Sequence, residues 1–173
     1  VVVTGPGRLA AAVAVALAEA GVGHVHADLP GTVTAAELPG GPLRGTDIGT
    51  PRGAAVTSAL LRAAPGVETR TVRRGTATLV LHLGHDQPAA LLAAGHLHRR
   101  QPHLAVAVHD GVAVVGPFVP ATGGPCLNCV DMHRRDRDPK WPGHPIGAPA
   151  PEPCAVTTLL AATAYATAEA LAR

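Results

Sequence analysis

The stretch VVVTGPGRLAAAVAVALAEAG (residues 1–21) predicts a β-strand, a tight glycine turn and an α-helix. Three β-branched residues precede the turn Thr4–Gly7, and no helix breaker follows before Gly21. A second predicted strand, 23–27, follows at once and ends at Asp28. This order is typical of the nucleotide-binding half of a doubly wound α/β domain. In such a domain, N–H groups at a helix N-terminus stabilise an anion, and the acid accepts hydrogen bonds from ribose hydroxyls.

The turn predicts a nucleotide site formed by Gly5, Gly7 and Ala10, with Ala10 at the third glycine position of the fingerprint. A glycine turn also occurs where a βα connection needs a positive φ and binds nothing. Asp28 at the end of the second strand favours the nucleotide site. An NAD-binding dehydrogenase domain is a further interpretation, although no catalytic acid–base pair is visible for it.

The composition predicts one soluble domain. The 173 residues can bury one sizeable core, and the formal net charge of +2 predicts no nucleic-acid partner. No apolar run approaches the length of a membrane span, so we expect no membrane segment. Three cysteines, two of them in a C-x-x-C, favour a metal or redox pair in a reducing compartment, here the cytoplasm. The ten histidines form no metal or triad motif, and we expect most of them at the surface or at strand ends.

The chain continues as alternating predicted strands and helices. Residues 29–49 form a long loop with a helical turn near 34–38, and Thr50 caps a helix that reaches about Ala64. The remaining predicted elements are strands at 67–72, 78–83, 104–108 and 112–115, and a helix from Pro88 to about 100. We therefore expect an α/β, Rossmann-like domain over 1–173, with a mainly parallel twisted sheet and helices on both faces. Because both ends of the chain lie inside predicted elements, we expect it to be part of a longer protein.

Residues 116–153 form a Pro/Gly-rich segment that carries Cys126 and Cys129, then a charged run predicted to be a solvated turn, and a linker. Two thiolates in a C-x-x-C can supply half of a tetrahedral zinc site, which could be completed by residues beyond 173 or by Cys154 with a histidine. Unmetallated thiols and a redox pair are the alternatives; the redox pair is disfavoured because such motifs start a helix that follows a strand. The final helix, 154–173, is apolar almost all round, so we expect it to pack against the sheet or a second subunit.

Three more side chains are candidates for the nucleotide site. Asp86 follows a buried predicted strand at the sheet edge that carries the glycine turn, where a carboxylate can hold magnesium against phosphates. The alternative role of Asp86 is a helix cap. Arg44 in the loop and Arg52 in the second helix could reach the phosphates, although isolated arginines are more often solvated.

Together these motifs resemble the ubiquitin-activating-enzyme-like superfamily of ThiF/MoeB type, over almost the whole chain. The residues that match the family's order are Gly5-Pro6-Gly7, Asp28, Arg44, Asp47–Arg52 (DIGTPR), Asp86 and the C-x-x-C. The resemblance implies that ATP and magnesium are bound and that the C-terminal carboxylate of a small carrier protein is adenylated. It implies catalytic roles for Asp86, at the magnesium, and for Arg44, at the phosphates. Asp28 would bind the ribose and Arg52 the phosphates, while a second C-x-x-C beyond residue 173 would complete the zinc site.

Three departures from the family pattern lie in the nucleotide site. Arg8 stands where a phosphate needs close backbone approach, Arg52 replaces a lysine, and Gln87-Pro88 replaces an asparagine and a downstream arginine. Residues 116–139 resemble, more narrowly, the ThiF-like domain of actinobacterial cyclodehydratase proteins, in which a YcaO-type partner uses the ATP. We therefore predict a dimeric, zinc-binding scaffold for a ribosomal precursor peptide, with a degenerate nucleotide site. The alternative is an active adenylyltransferase.

Overall fold

The computed structural model describes residues 1–73, 75–84, 89–109, 111–139 and 154–173. Its strands are β1 (Val2–Thr4), β2 (His26–Asp28), β3 (Val80–Leu83), β4 (His103–His109) and β5 (Val112–Val119). Its helices are α1 (Gly7–Glu19), α2 (Arg52–Ala63), α3 (Ala89–His98), α4 (Leu127–Arg137) and α5 (Val156–Leu171). Two 3₁₀ turns, Ala35–Glu37 and Gly45–Asp47, lie in the long loop between β2 and α2.

The five strands form one sheet in the order β2-β1-β3-β4-β5. The first four strands are parallel, and β5 is antiparallel to β4. Thr4 at the end of β1 lies opposite Asp28 of β2 and His82 of β3. The carboxyl ends of three neighbouring strands therefore meet at the edge where the glycine turn leaves β1. The predicted mainly parallel α/β sheet is confirmed.

Helices cover both faces of the sheet, as predicted. The larger core lies between the sheet and α1, α2 and α5, with Val3, Leu81 and Val106 among its strand residues. Because α1 is rich in alanine, it can pack closely against both α2 and α5, and it is buried along most of its length. The smaller core joins α3 and α4 to the other face through Ala93, Ala105 and Leu127. No helix in the described ranges has the length and apolar character needed to cross a bilayer.

The predicted strand at 67–72 is wrong. Within the described part of this segment, pairing with the sheet is limited to one bridge between His24 and Glu68. β2 itself is only three residues long, so its outer edge offers little backbone for a further strand. The segment instead leads as coil toward β3.

Two helix boundaries also differ from the predictions. The charged run that was predicted to be a turn lies largely in α4, where Arg135 pairs with Asp131 one turn earlier at 2.8 Å. Arginines in the last turn of α4 also suit the negative end of the helix dipole. At α2 the N-cap is Pro51, and Thr50 makes no cap, because its hydroxyl donates to the carbonyl oxygen of Asp47 at 2.6 Å.

Candidate nucleotide and zinc sites

The glycine turn has the backbone geometry that the sequence predicts. Gly5 and Gly7 have φ values of 136° and 85°, in the region that favours glycine. A Cβ atom on Gly5 would lie 1.9 Å from the carbonyl oxygen of Leu83, so β1 can end against β3 only with glycine here. α1 starts at Gly7 without a side-chain cap, and Ala10 is buried. An uncapped first turn at a sheet edge is a suitable place for an anion, and the role of these residues in nucleotide binding stays a prediction.

Asp28 lies at the end of β2, exposed and directly beside Thr4. This is the position from which an acid reaches ribose hydroxyls in a dinucleotide fold. Asp86, the predicted magnesium ligand and catalytic residue, falls outside the described residues together with 85, 87 and 88. The structure therefore defines the position of Asp28, the predicted ribose ligand. The magnesium contact of Asp86 stays a prediction.

Arg52 holds the long loop in a buried network. Its Nε donates to Glu37 Oε2 at 2.7 Å, and its Nη2 donates to Glu37 Oε1 at 3.0 Å and to the Thr32 carbonyl at 2.8 Å. Its Nη1 donates to the carbonyl of Pro30. The Arg52 and Glu37 side chains are only 11% and 8% exposed. A phosphate would have to compete with these partners, and the predicted phosphate contact of Arg52 stays untested.

The carboxylate of Glu37 depends on this network for its charge. Burial acts to raise the pKa of Glu37, whereas the hydrogen bonds from Arg52 and from the Thr34 backbone N–H, with the Arg52 charge, lower it. The net result is a pKa below the ordinary value for glutamate. Glu37 is therefore ionised at neutral pH, and the pair acts as a charged clasp between the loop and α2. We call Arg52 and Glu37 the loop clasp.

Arg8 makes a second buried link. Its Nη1 donates to the Pro39 carbonyl at 3.2 Å, and its Nη2 contacts both the carbonyl and the Sγ of Cys154, the latter at 3.3 Å. The side chain joins α1 to the long loop and to the residue that precedes α5. Sequence reasoning treated Arg8 only as an obstacle to phosphate. A single arginine at the start of the apolar run 9–18 was the available signal for this structural role.

Arg44 is exposed, and its backbone N–H donates to Asp47 Oδ2 at 2.7 Å. Its guanidinium has no ion pair with any residue that the structure describes. Of the arginines singled out for the nucleotide site, Arg44 thus keeps its side chain available for a ligand. Its catalytic role stays a prediction.

Cys126 and Cys129 lie at the start of α4, with Cys126 as the N-cap. Their sulfur atoms are 3.6 Å apart, and neither is in a disulfide. Two thiolates on a tetrahedral zinc, each at about 2.3 Å, are about 3.8 Å apart, so the pair fits half of such a site. Across the described ranges, no group of three or more potential ligands is arranged around a metal position. Additional ligands would therefore have to come from elsewhere.

The position of this pair differs from the predicted loop. Burial acts to raise the pKa of Cys126, but hydrogen bonds from the Cys129 backbone and thiol and from the Asn128 backbone outweigh it, and the pKa is lowered. A thiol at a helix start is favoured as thiolate, the form that binds zinc and also the form that reacts in redox pairs. The pair starts a helix, as redox motifs do, but the coil 120–125 separates it from β5, as the sequence argument against the redox alternative requires, and both alternatives stay predictions.

Three histidines, missed as a group by the sequence reasoning, lie together on the sheet face opposite α1. His82 Nε2 and His96 Nε2 are 2.5 Å apart, and the rings of His96 and His103 stack with centroids 4.3 Å apart. Burial, with smaller contributions from His103 and Arg99, lowers the pKa of His96 to about 4. Burial also lowers the pKa of His103. The alternation in β3, which puts His82 on the face opposite Leu81, was the available signal.

Comparison with known proteins identifies the fold. No protein-family model and no curated protein matches the sequence. Among solved structures, E. coli MccB with ATP matches with a TM-score of 0.75 and 18% identity, over 98% of this chain and 53% of that chain. The chain has a ThiF/MoeB-type fold. The microcin C7 biosynthetic enzyme MccB in complex with N-formylated MccA matches with a TM-score of 0.72 and 14% identity, over 98% and 55% of the two chains.

PaaA matches with a TM-score of 0.70 and 14% identity, over 98% of this chain and 62% of that chain. This chain thus spans about half the length of the MccB chains. The predicted ThiF/MoeB-type fold is confirmed. At these identities the likeness extends to the fold alone, so the roles of individual residues are argued from this chain's own geometry.

Proposed function

We propose that this chain is a ThiF-type scaffold domain that binds a ribosomal precursor peptide in a cytoplasmic peptide-modifying system and has a degenerate nucleotide site. The observation that carries the proposal is the commitment of Arg8 and Arg52 to loop contacts, which leaves fewer cations for phosphates. The fold likeness to MccB, which has been crystallised with the peptide MccA, supports a peptide partner. A YcaO-type cyclodehydratase is the proposed user of ATP.

Calorimetry on the full-length protein tests the nucleotide part. We expect no heat of binding on titration with Mg-ATP at micromolar concentrations. A titration with NAD in the same calorimeter tests the dehydrogenase interpretation, and we expect no heat of binding there either. Magnesium-dependent ATP binding in the micromolar range would refute the degenerate site. Titration with the precursor peptide encoded beside the gene tests the scaffold part, for which we expect saturable binding without ATP.

Zinc bound by Cys126 and Cys129 is a separate part of the proposal. The sulfur separation of 3.6 Å and the lowered pKa of Cys126 support it. Metal analysis of the full-length protein should find about one zinc per chain, and none in Cys126→Ser. Cys154→Ser is the matched control, because the Cys154 thiol contacts Arg8, and this variant should keep its zinc. Metal-free wild-type protein purified without chelator would overturn the zinc site.

The exposed face of α5 supports the homodimer. Val156, Leu160, Tyr165 and Leu171 are all large and exposed on this helix. Light scattering should give twice the chain mass for the wild type and one chain mass for Leu160→Glu. A monomeric wild type at tens of micromolar would contradict the homodimer and leave the peptide proposal standing.

An active adenylyltransferase is the second candidate. The preserved positive φ values of Gly5 and Gly7 and the exposed carboxylate of Asp28 favour it. It predicts ATP–pyrophosphate exchange in the presence of a carrier protein or peptide, abolished in Asp28→Ala and in Asp86→Ala. The absence of exchange with every small protein and peptide encoded at the locus would exclude it.

A further inference from the structure

In the described parts of the chain, the sheet face opposite α1 and α2 is only thinly covered over β1, β2 and β3. After Glu68, which pairs beside β2, the chain crosses this face to reach β3, and the described residues between 69 and 79 form neither helix nor strand. The helix of the crossover from β2 to β3 is α2, which packs on the opposite face of the sheet with α1. On the thinly covered face, a coil and α3 leave a cavity of about 600 Å³. This volume lies within the range of ligand pockets, about 300–1,000 Å³.

The cavity combines an apolar floor with a basic rim. Val2 and Val80 of neighbouring strands and Leu92 of α3 provide apolar surface. Arg73 and Arg99 lie at its exposed margin, and neither forms an ion pair with a residue in the described ranges. Among the described residues that line it, Asp28 is the acidic one. Two guanidinium groups against one carboxylate favour an anionic ligand.

The apolar surface continues out of the cavity along α3. Leu91 lines the cavity and is nevertheless 64% exposed, and Leu97, further along the same helix, is 65% exposed. α3 is apolar nearly all round, a composition typical of a helix that is covered on most sides. A compact ligand would fill the cavity and leave these leucines in water. An extended ligand would cover the cavity and the outer surface of α3 together.

We propose that this cavity binds an extended peptide segment whose apolar side chains cover Val80 and Leu91 and whose carboxylates pair with Arg73 and Arg99. The inference rests on the proposed function, because it names the place and the chemistry of the peptide partner. Complementary charges at such a rim mainly increase the association rate and the selectivity, while the apolar contacts retain the bound segment. The binding is therefore salt-dependent and selects acidic over basic sequences of the same hydrophobicity.

Fluorescence anisotropy on the full-length protein tests the inference. The probe is a labelled synthetic peptide of alternating glutamate and leucine, and the matched probe has lysine in place of glutamate. We expect the acidic probe to bind, and to bind at least about tenfold more weakly to the double variant Arg73→Glu/Arg99→Glu. The basic probe should bind only to that double variant. Arg62→Glu is the control, because Arg62 lies on α2, on the opposite face of the sheet. This variant should bind the acidic probe with the affinity of the wild type.

A second variant tests the cavity without changing charge. Ala77→Trp places a large side chain in the coil that lines the cavity and should weaken the acidic probe, with an unchanged circular dichroism spectrum confirming the fold. Equal binding of the acidic probe to the wild type and to the double arginine variant, or no binding to the wild type, would overturn the inference. Precursor peptide that binds equally to both proteins would overturn the inference and leave the proposed function intact. Failure of the precursor peptide to bind the wild type would instead refute the proposed function.

Discussion

Replacing Arg52 with alanine is the most direct test of the loop clasp. Arg52 donates four hydrogen bonds, two to Glu37 and two to the carbonyls of Pro30 and Thr32. Its removal leaves the Glu37 carboxylate buried without its cation and two loop carbonyls without their donor. Loss of one partner of a buried ion pair costs about 3–5 kcal/mol in free energy of unfolding. Since the loop can relax and admit water, we expect the lower end, about 3 kcal/mol.

Urea denaturation followed by circular dichroism measures this cost, and a thermal scan by the same signal gives the melting temperature. In a chain of this size each kcal/mol shifts the melting temperature by about 2–4 °C, so Arg52→Ala should melt about 6–12 °C below the wild type. Arg62→Ala is the control on the same helix, because Arg62 is exposed with one long contact to the Pro42 carbonyl, at 3.4 Å. Its effect should stay within about 0.5 kcal/mol. Replacing both clasp residues with methionine should cost less than Arg52→Ala, because no unpaired charge remains buried.

The pH dependence of the Arg52→Ala effect follows from the lowered pKa of Glu37. A carboxylate with a depressed folded-state pKa stabilises the fold above its unfolded pKa, about 4.3, and this contribution is lost as the pH falls through the folded value. The difference between wild type and Arg52→Ala should therefore shrink in acid. A difference below about 1 kcal/mol at neutral pH, together with weakened ATP binding, would refute the clasp and assign Arg52 to phosphate instead.

The remaining predictions concern the glycine turn and the histidine cluster. Gly5→Ala should destabilise the fold by more than about 3 kcal/mol, because the new Cβ meets the Leu83 carbonyl and φ is 136°. Gly23→Ala, which meets no atom within 4 Å, should change stability by less than about 1 kcal/mol, and equal urea midpoints for the two variants would contradict the steric argument. The wild type should lose stability as the pH falls from about 6.5 to 4, because the unfolded chain protonates His96 in this window and the folded chain does not. His96→Leu should reduce this slope, while the exposed control His98→Leu should keep it; equal slopes in the wild type and His96→Leu would show that His96 does not carry the effect.

The parts of the fold that local sequence determines were predicted correctly. β-branched residues before a Gly-Pro-Gly turn can hardly form anything but a strand that ends there, and the alanine-rich stretch after the turn has no alternative to a helix. The position of Asp28 at the sheet edge was predictable because the second strand ends at this residue. The helix in the charged run is also predictable in principle, since the Asp131–Arg135 pair is a local i,i+4 contact, but a run of mixed charges is equally typical of a solvated turn.

The partners of the buried arginines could not be predicted, because they depend on contacts distant in sequence. Arg8 and Cys154 are 146 residues apart, and Arg52 and Glu37 are 15 apart. An arginine in a motif that resembles a phosphate site is naturally assigned to phosphate until its neighbours are known. The thinly covered sheet face could not be predicted either, because the described residues between 69 and 79 form coil where the sequence indicated a strand.

The two buried arginines also explain why the long loop can have one defined path. The prolines of the loop have no backbone N–H to donate, and Arg8 and Arg52 supply donors to the carbonyls of Pro30, Thr32 and Pro39. A lysine could not replace Arg52, because one ammonium lacks the fork that reaches the carboxylate and two carbonyls together. In this arrangement the same guanidinium cannot serve loop and phosphate at once. A phosphate bound by Arg52 would therefore have to displace its loop partners, which is why ATP affinity and loop stability must be measured on the same Arg52 variant.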